Sequence, residues 1–248
     1  MRGRIALGLL LLALLVLSGC ATTGGASYQD TLIGYWPLDD GSGNVAMEIT
    51  NVSVDGVITG GPAWTEGVFG GALQFDGVDD TILMDTGFNI PEYTIALWVK
   101  VEFLLRQADI ISMYQVAVPG ATVDHGILLE VAADGALRYL ERIPLGDSGG
   151  SDLYTETAYN DGTWYHVALV KNAEERGIYI NGEPVVTEPD TALITDDELL
   201  LVIGCLDQER EIGRFFKGTL DDIRIYGSAL TQEELLDVMA APAVIAAE

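Results

Sequence analysis

The sequence predicts an all-β chain, a two-sheet antiparallel sandwich of the jelly-roll kind closed by one short C-terminal helix. Three observations carry this. Apolar residues recur with period two from Leu32 onward, the spacing of half-buried strands. Turn signals break that period roughly every ten residues, the rhythm of many short strands. Glycine supplies 29 of 248 residues, roughly 12% against an average of about 7%, and with 8 Pro it provides the turns such strands need. An apolar share of 49% is ample for a packed core and excludes a disordered chain.

Taken in order, Arg2 and Arg4 precede an apolar or small run from Ile5 to Leu17. Thirteen residues make about 20 Å of helix, short of a hydrocarbon core about 30 Å thick. The run therefore reads as the h-region of a secretory signal over residues 1–19. It ends in Leu17-Ser18-Gly19-Cys20, which resembles the lipobox of bacterial lipoproteins. That resemblance implies cleavage before Cys20, a diacylglycerol on its sulfur and a lipid-anchored place in the bacterial cell envelope. Residues 20–31 then form the lipidated cysteine and a tether, small and flexible from Ala21 to Ser27. Ala21, in place of Asp, resembles the outer-membrane sorting rule of some Gram-negative bacteria.

The folded part spans residues 32–239. Tyr93 to Val101 places Tyr93, Ile95, Leu97 and Val99 on one face. Trp164 to Lys171 places Tyr165, Val167 and Leu169 on one face and Trp164, His166 and Ala168 on the other, so both are expected as central strands. Asn181-Gly182 suits a type I′ hairpin, where both residues need positive φ. Pro184 sends the returning strand to a sheet edge or a bulge. Thr231 and Glu234 form a capping box for the helix, whose apolar stripe is Leu235, Leu236 and Met239. Residues 240–248 read as a frayed tail. Trp36, Trp98 and Trp164 are expected in the core, and His166 as a hydrogen-bonded structural histidine.

Charge narrows the partners. The formal net charge is −26, with 12 basic and 38 acidic residues. Only three of the basic residues are Lys and no basic stripe is visible, which excludes a phosphate-coating nucleic-acid binder. The same balance disfavours direct docking on anionic lipid, so membrane association is expected through the lipid alone. Multivalent cations remain natural partners for carboxylates.

Three groups of segments resemble a known family together. They are Gly34-Tyr-Trp-Pro-Leu-Asp-Asp-Gly-Ser-Gly-Asn44, then Phe69-Gly-Gly-Ala-Leu-Gln-Phe-Asp-Gly-Val-Asp-Asp80 with Thr94-Ile-Ala-Leu-Trp-Val99. The third combines Trp164 to Val170, Ile178-Tyr-Ile-Asn-Gly182 and Gly218-Thr-Leu-Asp-Asp-Ile-Arg-Ile-Tyr226. In this order they resemble the LamG-like jelly-roll domains of the concanavalin A-like lectin/glucanase superfamily, over about Leu32 to Met239. The resemblance implies two antiparallel sheets face to face, often one calcium ion, and a binding role.

For calcium, glycine-rich turns beside carboxylates offer the oxygen ligands the ion takes in sixes to eights. Carried over from the resemblance, Asp39, Gly41 and Asp221 are candidate ligands, with Asp76 joining them. The alternative is that these acids only hydrogen-bond their turns. Strand period sends Asp221 and Asp222 to opposite faces, so one of them is expected inward.

Catalytic signatures are missing from the sequence. The Glu-x-Asp-x-Glu run of related glycoside hydrolases and a phosphate loop are both absent. Only His125 and His166 could assist a thiol, and Cys205 lies in an apolar run that suits a small buried hydrophobe. The expected role is therefore non-catalytic recognition of carbohydrate or a surface glycoconjugate. A protein-binding adhesion or envelope-assembly subunit is the rival, and a glycan-active enzyme the third reading. Candidate binding residues sit in the irregular stretch from Pro144 to Asp161, where Tyr154 and Tyr159 offer aromatic platforms beside Asp152. A second candidate loop runs from Met113-Tyr114 to Asp124-His125, with Tyr114 as its aromatic residue.

Overall fold

The computed structural model describes residues 27–116, 123–146, 148–195, 198–206 and 214–243. Cys20 and the secretory signal lie outside these residues. One sheet, A, contains β1 (Leu32–Trp36), β4 (Ala63–Glu66), β5 (Gly71–Asp76), β7 (Tyr93–Val101), β12 (Trp164–Lys171), β13 (Glu175–Ile180), β14 (Glu183–Pro189) and β16 (Lys217–Tyr226). Its order is β14-β13-β12-β7-β16-β5-β4, with β1 also paired to β16. The other sheet, B, contains β2 (Val45–Ala46), β3 (Gly56–Thr59), β6 (Thr81–Phe88), β8 (Ala108–Val116), β9 (Val123–Val131), β10 (Ala136–Gly146), β11 (Ser151–Ala158) and β15 (Leu199–Ile203). Its order is β11-β10-β9-β8-β15-β6-β3-β2. The ladders are antiparallel, as the sandwich requires.

The main core lies between the sheets. Tyr93, Ile95, Leu97 and Val99 of β7 meet Val167 and Leu169 of β12 and, from sheet B, Ile127, Leu129 and Leu201. Each such side chain contributes about 1.5–3 kcal/mol when fully buried. The opposite face of sheet A is also covered. There Tyr35, Ala96, Ala168, Val170 and Tyr226 pack under Leu235 and Val238 of α1 (Gln232–Ala240). This second layer explains why β7 and β12 are apolar on both faces.

The capping box forms as expected, with the Thr231 side chain accepting from Glu234 N–H. The buried stripe differs: Leu235 and Val238 point inward while Leu236 is 40% exposed. At about 100° per residue, Leu236 turns a quarter-circle away from Leu235 and Val238 returns to its face. Asn181 (φ 53°) and Gly182 (φ 81°) take the left-handed geometry of the type I′ turn. Pro184 lies in edge strand β14, at a register shift against β13.

The stretch from Pro144 to Asp161 is more regular than the sequence suggested. Much of it is the β10–β11 hairpin, whose turn uses Gly149 (φ 78°) and Gly150 (φ 99°). Met113 and Tyr114 lie in β8, and Asp124 and His125 in β9. Cys205 is buried against Tyr114, Val123 and Val202, as a small hydrophobe would be. Among the described residues no helix is long and apolar enough to cross a membrane.

Candidate functional site

The β10–β11 hairpin brings together two of the expected binding residues. Period two buries Leu153 and Thr155 of β11 and turns Asp152 and Tyr154 outward. Tyr154 is 47% exposed; among the described aromatic residues only Phe103 is also exposed. Arg138 lies opposite Tyr154 in the ladder, with its guanidinium 5.8 Å from the ring centroid. The same guanidinium donates from Nε to Asp152 Oδ1 at 2.8 Å.

Tyr114 and Tyr159 must be withdrawn as exposed platforms. Tyr159 is 8% exposed and packs edge-on against Tyr165 at 4.9 Å, as part of the main core. Tyr114 is 2% exposed because the segment around Cys205 and Phe215 covers it. Isolated tyrosines in a turn-rich sequence do not reveal which strand face they occupy.

Behind Tyr154 runs a row of charges that the sequence reading missed. Asp109, Glu130, Arg138 and Tyr154 are register partners across β8, β9, β10 and β11. Arg214 pairs with both Asp109 and Glu130, and Arg138 pairs with Glu130. Gln107 donates to Glu130 Oε2 at 2.8 Å. Asp109 and Glu130 are fully buried, and arginine compensates both: Arg214 reaches the two of them, while Arg138 adds a second cation to Glu130 alone. No local signal joins these residues, because Asp109, Glu130 and Arg138 lie in three different strands.

On the outer face of sheet A, the turn between β4 and β5 lies between Asp39 and Asp221. Asp221 Oδ2 accepts from Val68 N–H at 2.7 Å and Phe69 N–H at 2.9 Å. Asp39 Oδ1 accepts from Gly71 N–H. A side chain at Gly67 or Gly70 would collide with these carboxylates, so the turn needs glycine there. Asp221 is fully buried, and its Oδ1 has no hydrogen-bond partner. Burial pushes its pKa up to about 7 against the two backbone donors, with Asp222 and Asp39 adding to the rise.

Asp221 and Asp222 do not separate to opposite faces. Asp222 takes φ 57° at a register shift, and this bulge breaks the period of β16. Both are buried, with Asp222 paired to Arg224 at 2.6 Å. Gly41 is exposed in the turn after Asp39, at φ 69°. Asp76 does not join this group, because it sits at the far end of β5 from Gly71. It clusters instead with Asp79 and Asp80, whose carboxylate oxygens lie within 4.8 Å of one another and its own. That triad could hold a metal ion. Asp80 Oδ2 also accepts from Asp76 N–H at 2.8 Å, and burial raises the Asp80 pKa.

Beside Asp221, β7 and β12 carry Trp98 and His166 in the same row. His166 is 1% exposed and packs edge-on against Trp98 at 5.4 Å. Neither ring nitrogen has a hydrogen-bond partner, contrary to the expected bonded histidine. Burial pushes its pKa down to about 3, so it is a neutral spacer. Trp36 is core, whereas Trp98 and Trp164 are only half-buried on this outer face. The Lys100 ammonium lies 5.0 Å over the Trp164 ring, which occupies that aromatic surface.

Solved structures share this architecture. Domain 4 of AbnA, a GH43 extracellular arabinanase from Geobacillus stearothermophilus in complex with arabinotriose, superposes with a TM-score of 0.66 at 22% identity, covering 84% of this chain and 98% of that one. The binding domain of Paraclostridial Mosquitocidal Protein 1 gives 0.62 at 14% identity, over 86% and 52%. Trypanosoma rangeli sialidase gives 0.64 at 14% identity, over 85% of this chain but 32% of the sialidase. At these identities the likeness shows the fold alone. No curated protein sequence matches the chain. The model of one family matches residues 76–236, more than half the sequence, and with the two-sheet sandwich it places the chain in the Concanavalin A-like lectin/glucanases superfamily.

Proposed function

We propose that this protein binds carbohydrate or a surface glycoconjugate without turning it over, using the outer face of the β10–β11 hairpin. The observation that carries the reading is Tyr154: an exposed ring beside the preorganised Arg138–Asp152 pair. An aromatic face accepts sugar C–H groups while a guanidinium and a carboxylate serve its hydroxyls. The arabinanase domain crystallised with arabinotriose supports a sugar ligand by analogy of fold.

The non-catalytic part of the proposal rests on Asp109 and Glu130. They are neighbouring buried carboxylates on sheet B, and glycoside hydrolysis needs two carboxylates flanking the scissile bond. Here both are engaged by arginine, which leaves neither of this pair free to serve as base or acid. Calcium is proposed at Asp39 and Asp221, where the unpartnered Asp221 Oδ1 suits a hard cation. Its role there would be to neutralise the two carboxylates and fix the intervening turn. The signal and Cys20 motif support attachment to the cell envelope through lipid.

A glycan array probed with the purified protein, with calcium and with chelator, tests the binding reading. Binding of neutral oligosaccharides, lost in Tyr154→Ala, is expected. A blank array with co-purification of one envelope protein would favour the adhesion reading, for which exposed Phe103 and Leu105 offer an apolar contact. The mass of the mature N-terminus tests lipidation: an unmodified terminus at any residue other than Cys20 would exclude it.

A further inference from the structure

A second polar site lies on the other face of the same hairpin. Edge strands β11 and β14 approach each other there, and Ser151 donates to Glu188 Oε1 at 3.2 Å across the gap. The cleft has a volume of about 380 Å³, with Glu141, Ser151, Glu188 and Asp190 on its walls and Ile143 and Ala192 beside them. That is the lower end of the range for small-molecule sites, about 300–1,000 Å³.

Glu141 is 3% exposed and lines this cleft. Tyr93 donates to its Oε1 at 3.0 Å, and the Tyr93 hydroxyl is also bonded to that of Tyr139. Oε2 has no partner. A buried oxygen without a donor is costly, so the geometry asks for a donor from outside the chain. The nearby cations are mostly committed, with only Arg176 Nη1 lacking a partner. Arg176 donates to Glu188 Oε1 at 2.8 Å, lies 3.4 Å from an Asp190 oxygen and stacks over Tyr139 at 5.0 Å. Lys171 donates to the carbonyls of Asn172 and Asp190 at 2.8 and 2.9 Å.

We infer that this cleft binds one neutral sugar ring, with a ligand hydroxyl donating to Glu141 Oε2. At Glu141 an amine would meet the field of Lys171 and Arg176 from behind the cleft wall, and an acid would face Glu188 and Asp190 on that wall. A neutral hydroxyl meets neither repulsion. Burial holds Glu141 near neutrality, with a pKa of about 7, so the carboxyl can also donate to a second hydroxyl when protonated. This deepens the carbohydrate reading, on which the sugar identity rests, but uses a face distinct from Tyr154.

The test is titration of the purified protein with L-arabinose, D-galactose, D-glucose and D-mannose, beside D-glucosamine and D-glucuronate. At least one neutral sugar should bind saturably, and at least tenfold more weakly to Glu141→Gln. Ala192→Trp blocks the exposed rim without touching the buried network, and should weaken binding as much while staying folded. No saturable neutral sugar, unchanged binding in Ala192→Trp, or tighter binding of the amine or acid than of its neutral parent would each overturn the cleft. If oligosaccharides bind through Tyr154 while no monosaccharide binds, the cleft falls and the Tyr154 reading stands. If no sugar of either kind binds, both fall.

Discussion

Asp221 and Glu141 are both buried carboxyls with one unpartnered oxygen and a pKa pushed up to about 7, yet they call for different ligands. Asp221 is held by two backbone N–H groups and faces Asp39 and Asp222, so its surroundings carry excess negative charge. Glu141 is held by a phenol and faces Lys171 and Arg176 as well as Asp190, so its surroundings are nearly balanced. The same burial penalty therefore produces a cation-seeking group in one place and a hydroxyl-seeking group in the other. Neighbours, more than the shift itself, decide what a buried carboxyl can bind.

The comparison breaks first at Asp221. Asp221→Ala leaves the Val68 and Phe69 N–H groups without their acceptor, and should cost about 4 kcal/mol in chemical denaturation. Asp221→Asn keeps one acceptor oxygen and should cost much less. Equal losses in the two variants would show that the backbone bonds are not what Asp221 supplies.

Glu141 should add a pH effect of its own. The unfolded chain ionises this group near pH 4.5, the folded one only near 7. Between those values the folded state holds the extra proton, so stability from this group falls as pH rises from about 4.5 to about 7 and levels off above. Against a non-titrating Glu141→Gln control, the wild type should lose on the order of 3 kcal/mol across that window. Parallel pH profiles for the two proteins would contradict the buried, unpartnered carboxyl.

Calcium separates the two sites next. At a hundredfold excess over Kd the ion should stabilise the protein by about 2.7 kcal/mol, in wild type and Glu141→Gln but not in Asp221→Asn. A shift that survives Asp221→Asn would move the site, with the Asp76/Asp79/Asp80 triad as the next place to test. The smallest stability effect belongs to Tyr154→Ala, within about 0.5 kcal/mol because the ring is exposed.

What the sequence disclosed follows what local patterns can encode. Period two in β7 and β12, the Asn181-Gly182 turn and the Thr231–Glu234 capping box are short-range signals, and each appears in the fold as expected. Asp39 and Asp221 were readable as a pair through family motifs and do meet at one turn. Asp76 was misplaced because the length of β5 separates it from that turn. Tyr114 and Tyr159 were misread because burial depends on which later segment covers them. The Asp109–Glu130–Arg138 row depends on pairing among distant strands, and Glu141 on the meeting of two sheet edges. None of that is carried by local spacing.

The most direct test of carbohydrate recognition at the hairpin is calorimetric titration of wild type and Tyr154→Ala with arabinotriose and the best array ligand, followed by analysis of the recovered glycan. Wild type should bind at least one of them, Tyr154→Ala at least tenfold more weakly, equivalent to about 1.4 kcal/mol, with an unchanged melting temperature and intact glycan in both. Undiminished binding by Tyr154→Ala, or shortened glycan products from the wild type, would contradict it.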